Sequence, residues 1–528
     1  MSTFTLPAGH RIGIRLLLTG LLGLAGLASH ATSLLLNPGL ELGTSFGGWQ
    51  TYGANTYNLT NTAQAHSGTN YLKVYQAFTG AVNYDGIYQD YIAGPGAAYN
   101  ADGWFFTATN DAVAGQNIAW LEVTFRDAYA NVLALYRSAL INTNALATHT
   151  FPKSVWTDLR VTNQYDPTTF QVTNTVSKLV APPGTIFLRY QIVFYGDANY
   201  SGGSVFVDDL NLTQVAGGPY GNMNIVWSDE FSSNTINSSL WTYETGAGGW
   251  GNNELEYYTS RTNNAYASGG YLHIAAKKEG YSGSSYTSAR MKSEGLFSFK
   301  YGRLEWRAQL PTGVGFWPAL WLMGTNIATI GWPNCGEIDV VENNGSNPLD
   351  DQGSLHSGSD ETAHYTFIDG TSVTNFHTYT LDWTTNAFLY YVDGHLYETQ
   401  TGWGTSTTNS YPFPFNQPFF ILMNLAVGGS YLGNPGTNTI NAGTTFPGEM
   451  VVDYVRLYVP TDPLKITLKK TGTNLQLTWP SNVVCHLQTQ SNAIPTSLGT
   501  NWLPVATTTN QINLLPGKGS AFYRLTSP

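Results

Sequence analysis

Short apolar and aromatic runs, each closed by Gly, Asn, Asp or Pro, recur along the whole chain. In the first part they are Tyr71–Tyr75, Trp120–Phe125, Phe187–Tyr195 and Ser204–Leu212. In the middle they are Tyr271–Ala276, Tyr286–Met291, Leu296–Leu310, Phe316–Met323, Phe376–Trp383, Ala387–Val392, Phe419–Val427 and Met450–Val459. None places its apolar residues at helical spacing, and their length, composition and turn punctuation predict strands. Asp393-Gly394 between two such runs predicts a hairpin, because a type I′ turn needs positive φ at both central residues. The Gly/Pro-rich stretch 215–222 predicts a linker, and Pro460-Thr461-Asp462-Pro463 a second break. The chain then divides into 34–214, 223–460 and 464–528, the last offering Leu464–Leu468, Leu475–Trp479 and Ala521–Leu525 as strands. The expectation is an all-β protein of sandwich modules. One run differs in kind: His10, Arg11 and Arg15 precede the apolar Leu16–Leu27 and then Ser29-His30-Ala31, which predicts an export signal over 1–31. That run is shorter than the roughly 20 residues a bilayer span requires.

Composition narrows the partners. The 528 residues suggest about three domains at roughly 150 residues each. Charged residues are 11% and the net charge is -11, whereas nucleic acid or an anionic membrane surface asks for a basic footprint. No nucleic acid and no membrane partner is expected. The 15 Trp and 33 Tyr suit a neutral ligand with flat apolar faces. The two cysteines, Cys335 and Cys485, fall in different segments, so neither a disulfide nor a zinc site is expected, and Cys335 reads as a small buried apolar residue.

The chemistry concentrates in Cys335-Gly336-Glu337-Ile338-Asp339-Val340-Val341-Glu342-Asn343-Asn344-Gly345. The β-branched content reads as strand, and residues i and i+2 of a strand share a face, so Glu337 and Asp339 point the same way. Glu342 has the wrong parity and joins them only if a β-bulge near Val340–Val341 absorbs one residue. Carboxylates crowded on one face push their pKa values apart into an acid and a base, the arrangement used at glycosidic bonds. Nearby, Gly248–Tyr258 gathers glycine, amide and aromatic groups, including Trp250 and Asn253, in one loop of the kind a sugar site needs. Trp317 and Trp321, four apart on one strand, share a face and suit a stacking wall.

Two resemblances add to this reading. Asn37-Pro38-Gly39-Leu40-Glu41, Gly48-Trp49-Gln50, Ser67-Gly68-Thr69-Asn70-Tyr71-Leu72 and Val205-Phe206-Val207-Asp208-Asp209-Leu210 resemble carbohydrate-binding modules of the family 4/9 type. That resemblance implies a jelly-roll sandwich, a glycan held on aromatics such as Trp49, Tyr84, Trp104 or Trp120, and a structural calcium near Glu41 and Asp208. Trp227–Phe231, Trp250–Leu255, Tyr286–Arg290, Trp317–Trp321, Gly336–Glu342, Asn424–Gly429 and Val452–Arg456 resemble glycoside hydrolase family 16, most closely its laminarinase-like endo-β-1,3-glucanases. This implies a curved β-jelly roll with a polysaccharide cleft, Glu337 as nucleophile, Asp339 hydrogen-bonded to it, and Glu342 as acid/base. The resemblance carries Trp250, Asn253, Arg290, Trp317, Trp321 and His356 as substrate-binding positions, and Glu230, Gly270 and Asp453 as a structural calcium site. No cofactor is implied for catalysis.

The longer spacing before Glu342 is that of laminarinases, agarases and carrageenases rather than lichenases. Retention follows if the two carboxyl groups lie about 5–5.5 Å apart. The expected protein is a secreted, monomeric β-1,3-glucan hydrolase. Hydrolysis or transfer on mixed-linkage glucan, agarose or carrageenan is the alternative, and a non-catalytic β-glucan-binding protein the more distant one. The segment 464–528 looks like the small C-terminal β modules of exported bacterial proteins.

Overall fold

The computed structural model describes residues 33–526 apart from 43–45, 144–150, 200, 219, 405–409, 461–466, 472–473, 480–485, 493–502, 506–510 and 515–519. The predicted export signal and Cys485 lie outside the described residues. The chain is all-β, with only short α-helices at Ile327–Ile330 and Thr437–Gly443 and short 3-10 helices at Thr109–Asp111 and Ser430–Leu432 among the described residues. No helix there is long and apolar enough to cross a membrane.

The first sandwich packs two antiparallel sheets. One is built on Asn83–Ile92 and Phe187–Gly196, which pair along their full length, and continues through Ile118–Arg126 and Val132–Arg137. The other is built on Ala98–Phe106, Ser204–Ala216 and Asn70–Tyr75. Alternation along each strand sends Leu72, Ile87, Phe105, Leu121, Ile192 and Val207 into a shared core, where all six are fully buried.

The second sandwich carries the carboxylate cluster. Its cleft-bearing sheet contains β1 (Thr242–Glu244), β2 (Arg290–Lys292), β3 (Phe316–Gly324), β4 (Glu337–Glu342), β5 (Asp350–His356), β6 (Asp360–Thr366) and β7 (Phe419–Val427), in the order β1-β2-β7-β3-β4-β5-β6. Its back sheet includes Gly302–Gln309, His377–Trp383, Phe388–Val392, His395–Gln400 and Gly448–Pro460. Trp306, Leu320, Ile338, Tyr379 and Trp383 fill the space between them. Asp393 and Gly394 take φ of 50° and 83° and close the predicted hairpin. Beyond residue 466, two three-stranded sheets hold Leu477, Trp479 and Leu487 as a small buried cluster.

The stretch read as a linker is packed. Strand Ser204–Ala216 takes up its first two residues, and Tyr220 lies 4.6 Å from the Tyr458 ring, with the Arg303 guanidinium 5.0 Å from its centroid. The two sandwiches meet along it: the Ile92 N–H donates to the Gly394 carbonyl at 2.7 Å, and Ile92, Ala128 and Phe187 bury against Ala387, Leu389 and Tyr391.

Candidate active site

The bulge demanded by parity is present. In the pairing of β3 with β4, Leu320 faces Val341 and Trp321 faces Asp339, so Val340 is passed over; the pairing of β4 with β5 slips at the same place. Val340 and Val341 consequently both enter the core, and Glu342 returns to the face shared by Glu337 and Asp339. All three carboxylates line a cleft of about 630 Å³.

Their electrostatics follow from crowding in a place poor in water. Burial, reinforced by the charge of Asp339, pushes Glu337 above the ordinary carboxylate range. Burial and the charge of Glu342 raise Asp339, against the pull of His356. Burial and the charge of Glu337 push Glu342 up to about 7. Glu342 accepts from Trp317 Nε1 on one oxygen and from Gln352 Nε2 on the other, both at 3.1 Å. His356 sits 3.2 Å from Asp339 through Nε2 and 2.7 Å from Asp360 through Nδ1. Burial opposes its charge, but Asp339, Glu337 and Asp360 outweigh burial and lift it to about 10. Carboxylates against both nitrogens favour the charged imidazole beside the acid cluster.

The wall opposite is aromatic. The Arg290 guanidinium lies 5.1 Å from the Trp250 ring and 4.7 Å from the Trp321 ring, and is held by Glu244. Trp317 stacks on Tyr431 at 4.8 Å. Asn253 does not line the cleft: its left-handed φ of 59° belongs to the turn, and Asn252 takes the lining position, its carbonyl accepting the Ser430 N–H at 2.6 Å. Gln352, Asn424 and Tyr431 also line the cleft and escaped the sequence reading. The alternation Gln352, Ser354, His356 in β5 carried a signal, since it puts three polar groups on one strand face.

The family model "Glycosyl hydrolases family 16" matches residues 251–454. "Beta-glucanase" of Rhodothermus marinus is 40% identical over 258 residues, covering 44% of this chain and 84% of that protein. "Glucan endo-1,3-beta-glucosidase" of Cryptopygus antarcticus is 35% identical over 247 residues, covering 44% of this chain and 90% of that protein. The chain belongs to glycoside hydrolase family 16. "Glucan endo-1,3-beta-glucosidase A1" of Niallia circulans is 35% identical over 301 residues, and this family 16 enzyme spans 52% of itself and 43% of that larger relative in the match.

The residues expected to hold calcium lie outside the cleft lining. Glu230 accepts both Nε and Nη2 of Arg456, and Asp453 accepts Nη1 of Arg307. Gly270 sits in the turn before Tyr271 with φ of 87°. A cation at these residues competes with two arginines for the same oxygens. In the first sandwich Glu41 accepts the Thr69 and Asn70 N–H groups, and Asp208 those of His66 and Ser67. Those carboxylates already clasp one turn through backbone donors.

Of the aromatics proposed there, Trp49 is core and donates to the Asn37 carbonyl. Trp104 stacks on His66 at 4.0 Å, Trp120 is covered by Arg137 at 4.5 Å, and Tyr84 is exposed. Cys335 is fully buried with Sγ 3.4 Å from Met323 Sδ, and burial pushes its thiol up to about 11, as fits a packing role.

Proposed function

We propose that this enzyme is an exported, retaining endo-β-1,3-glucanase acting by double displacement. The observation that carries the reading is the bulge at Val340, which brings Glu337, Asp339 and Glu342 to one face. With Glu337 ionised, Glu342, pushed up to about 7, is the carboxyl that keeps its proton below that pH, and it protonates the leaving glycosidic oxygen while Glu337 attacks the anomeric carbon. Glu342 then takes a proton from water that hydrolyses the glycosyl-enzyme. Asp339, backed by the His356 charge, hydrogen-bonds Glu337 and holds it for in-line attack. Among the described residues lining the cleft, Arg290 and His356 are the cations, and each is already paired with carboxylate. This pairing favours a neutral glucan over a sulfated polysaccharide.

Product analysis on laminarin, curdlan, lichenan and agarose, with the anomeric outcome followed by NMR, tests the assignment. Laminarin oligosaccharides of varied length, released with retained configuration, are expected. Inverted products or preferential attack on agarose would overturn it.

The first sandwich is proposed to hold glucan on its outward sheet face. A row of polar side chains crosses five strands in register: Gln50, Tyr88, Gln191, Glu122 and Arg137. Glu122 accepts from Arg137 Nε at 2.7 Å, from Trp120 Nε1 at 2.9 Å and from Gln191 Nε2. Beside the row, Asp90 accepts both nitrogens of an Arg189 fork. Such a row presents donors and acceptors at strand spacing to a hydroxyl-rich chain. Arg137→Ala with Gln191→Ala is expected to abolish retardation in native gels containing laminarin while hydrolysis of soluble laminarin persists. Unchanged retardation would remove this face from consideration.

A further inference from the structure

From Trp321, Asn424 and Glu254 in the cleft lining, a polar chain that the double displacement does not use runs into the protein. Trp321 Nε1 donates to Asn424 Oδ1 at 2.8 Å, Asn424 Nδ2 donates to the Tyr258 hydroxyl at 3.1 Å, and that hydroxyl donates to Glu254 Oε2 at 2.8 Å. Glu254 faces Glu256, whose Oε2 accepts the Val427 N–H at 2.7 Å. Glu256 is fully buried, and its Oε1 has no donor.

The direction of every bond in this chain is fixed from its ends. An indole N–H only donates, so Asn424 must turn its oxygen to Trp321 and its amide nitrogen to Tyr258. The Tyr258 oxygen then accepts, and its own proton goes to Glu254. At the other end a backbone N–H, also only a donor, occupies one oxygen of Glu256. Neither of these donors serves Glu256 Oε1, and the carboxyl next to it, two residues back in the chain, is that of Glu254. Two ionised carboxylates in contact inside a protein repel strongly, and an unpaired buried oxygen is costly. One proton on the Glu256 carboxyl, donated to Glu254, removes both problems.

We propose that the buried Glu256 carboxyl carries a proton that it donates to Glu254, and that this proton positions Trp321 and the Arg290 wall against the sugar. Burial, with the charge of Glu254 added, holds Glu256 well above the ordinary carboxylate range. The groups facing the pair are Tyr258 on the same strand, the Val427 N–H on β7, and Arg290 on β2, which is itself paired with Glu244. The Tyr258 ring also meets the Trp250 ring edge-on at 5.4 Å, so the same tyrosine packs against the Trp250 loop. Both faces of the Arg290 clamp therefore depend on one buried proton. Loss of it separates the carboxyls, drags Tyr258, and releases Asn424 from Trp321. Glu254 and Glu256 are positioning residues; neither touches the reacting atoms.

The test has two arms. Infrared difference spectra between neutral and alkaline pH are expected to show, besides the bands of the cleft carboxyls Glu337, Asp339 and Glu342, a further protonated carboxylic acid band that disappears on titration in the wild-type enzyme and is missing from Glu256→Gln. In steady-state kinetics on laminarin oligosaccharides, KM is expected to rise several-fold over the pH range in which the band is lost. Glu256→Ala and Tyr258→Phe are expected to show the raised KM at all pH values. Glu256→Gln is expected to restore a low KM that no longer responds to pH, because an amide keeps donating to Glu254 and cannot titrate. The kinetic arm rests on the glucanase reading; the infrared arm does not, so the two fail separately. Absence of the band at neutral pH, or a Glu256→Gln enzyme whose KM follows the wild-type alkaline rise, would overturn the proposal. Tyr258→Phe with unaltered KM would do the same even if the Glu256 variants did not fold.

Discussion

Glu337→Ala is expected to form no glycosyl-enzyme with any substrate, whereas Glu342→Ala keeps measurable turnover on aryl glucosides whose leaving group departs without a proton. The difference follows from what each carboxyl supplies. Glu337 makes the bond that defines the intermediate, so no choice of substrate restores it. Glu342 supplies general acid assistance, worth typically 10²–10⁴-fold, and only on leaving groups that need it. On laminarin both variants therefore look dead; on an activated substrate only one does. The pH dependence follows the same division. Glu342 is pushed up to about 7 by burial and by the charge of Glu337, so kcat/KM on laminarin is expected to fall above that pH as the acid form is lost. The aryl substrate, indifferent to acid assistance in the first step, should lack this alkaline fall when glycosylation limits the rate. Equal losses in both variants on every substrate would contradict the roles given to the two residues.

Which carboxyl is nucleophile and which acid/base is what the family resemblance implies; that all three share a face could be read from the residues themselves. Strand parity is a property of consecutive residues, and six positions sufficed to demand a bulge at Val340–Val341, which the pairing of β3 with β4 and β5 supplies. The Trp317 and Trp321 wall was legible for the same reason. What was not legible depends on which strands lie side by side. Gln352 holds Glu342 only because β5 pairs with β4, and Asn424 reaches Trp321 only because β7 pairs with β3. Asn253 falls outside the cleft lining while its neighbours Asn252 and Glu254 belong to it, and one residue of a glycine-rich turn looks much like the next. Residues 215–222 read as a linker from their Gly/Pro content, yet Gly217 and Gly221 serve close approach. A Cβ on Gly221 would stand 2.2 Å from the Pro95 carbonyl, and one on Gly94 2.1 Å from that of Tyr220. Composition alone does not distinguish a glycine that loosens a chain from one that lets two backbones touch.

That close approach brings a charge inside. Arg303 is 1% exposed; its Nε and Nη2 donate to Asp382 at 2.8 and 2.7 Å, and Nη2 also reaches the Ala93 and Ile186 carbonyls of the first sandwich at 3.3 and 3.1 Å. Asp382→Ala leaves the guanidinium buried and uncompensated at the seam between the sandwiches. Breaking a buried pair in this way costs about 3–5 kcal/mol, which at roughly 2–4 °C per kcal/mol for domains of this size lowers the midpoint by on the order of 10 °C. Arg303→Met with Asp382→Leu removes both charges together and should recover most of that loss, since replacing both members of a buried pair by apolar residues is often neutral. Calorimetry of the full chain separates the possibilities. If the seam couples the two sandwiches, their melting in the wild type is a single transition that splits in Asp382→Ala and merges again in the double variant. A single-variant midpoint within a degree or two of the wild type would mean that water already reaches Arg303, and that the two sandwiches are held by Ile92, Phe187 and Leu389 rather than by the charge.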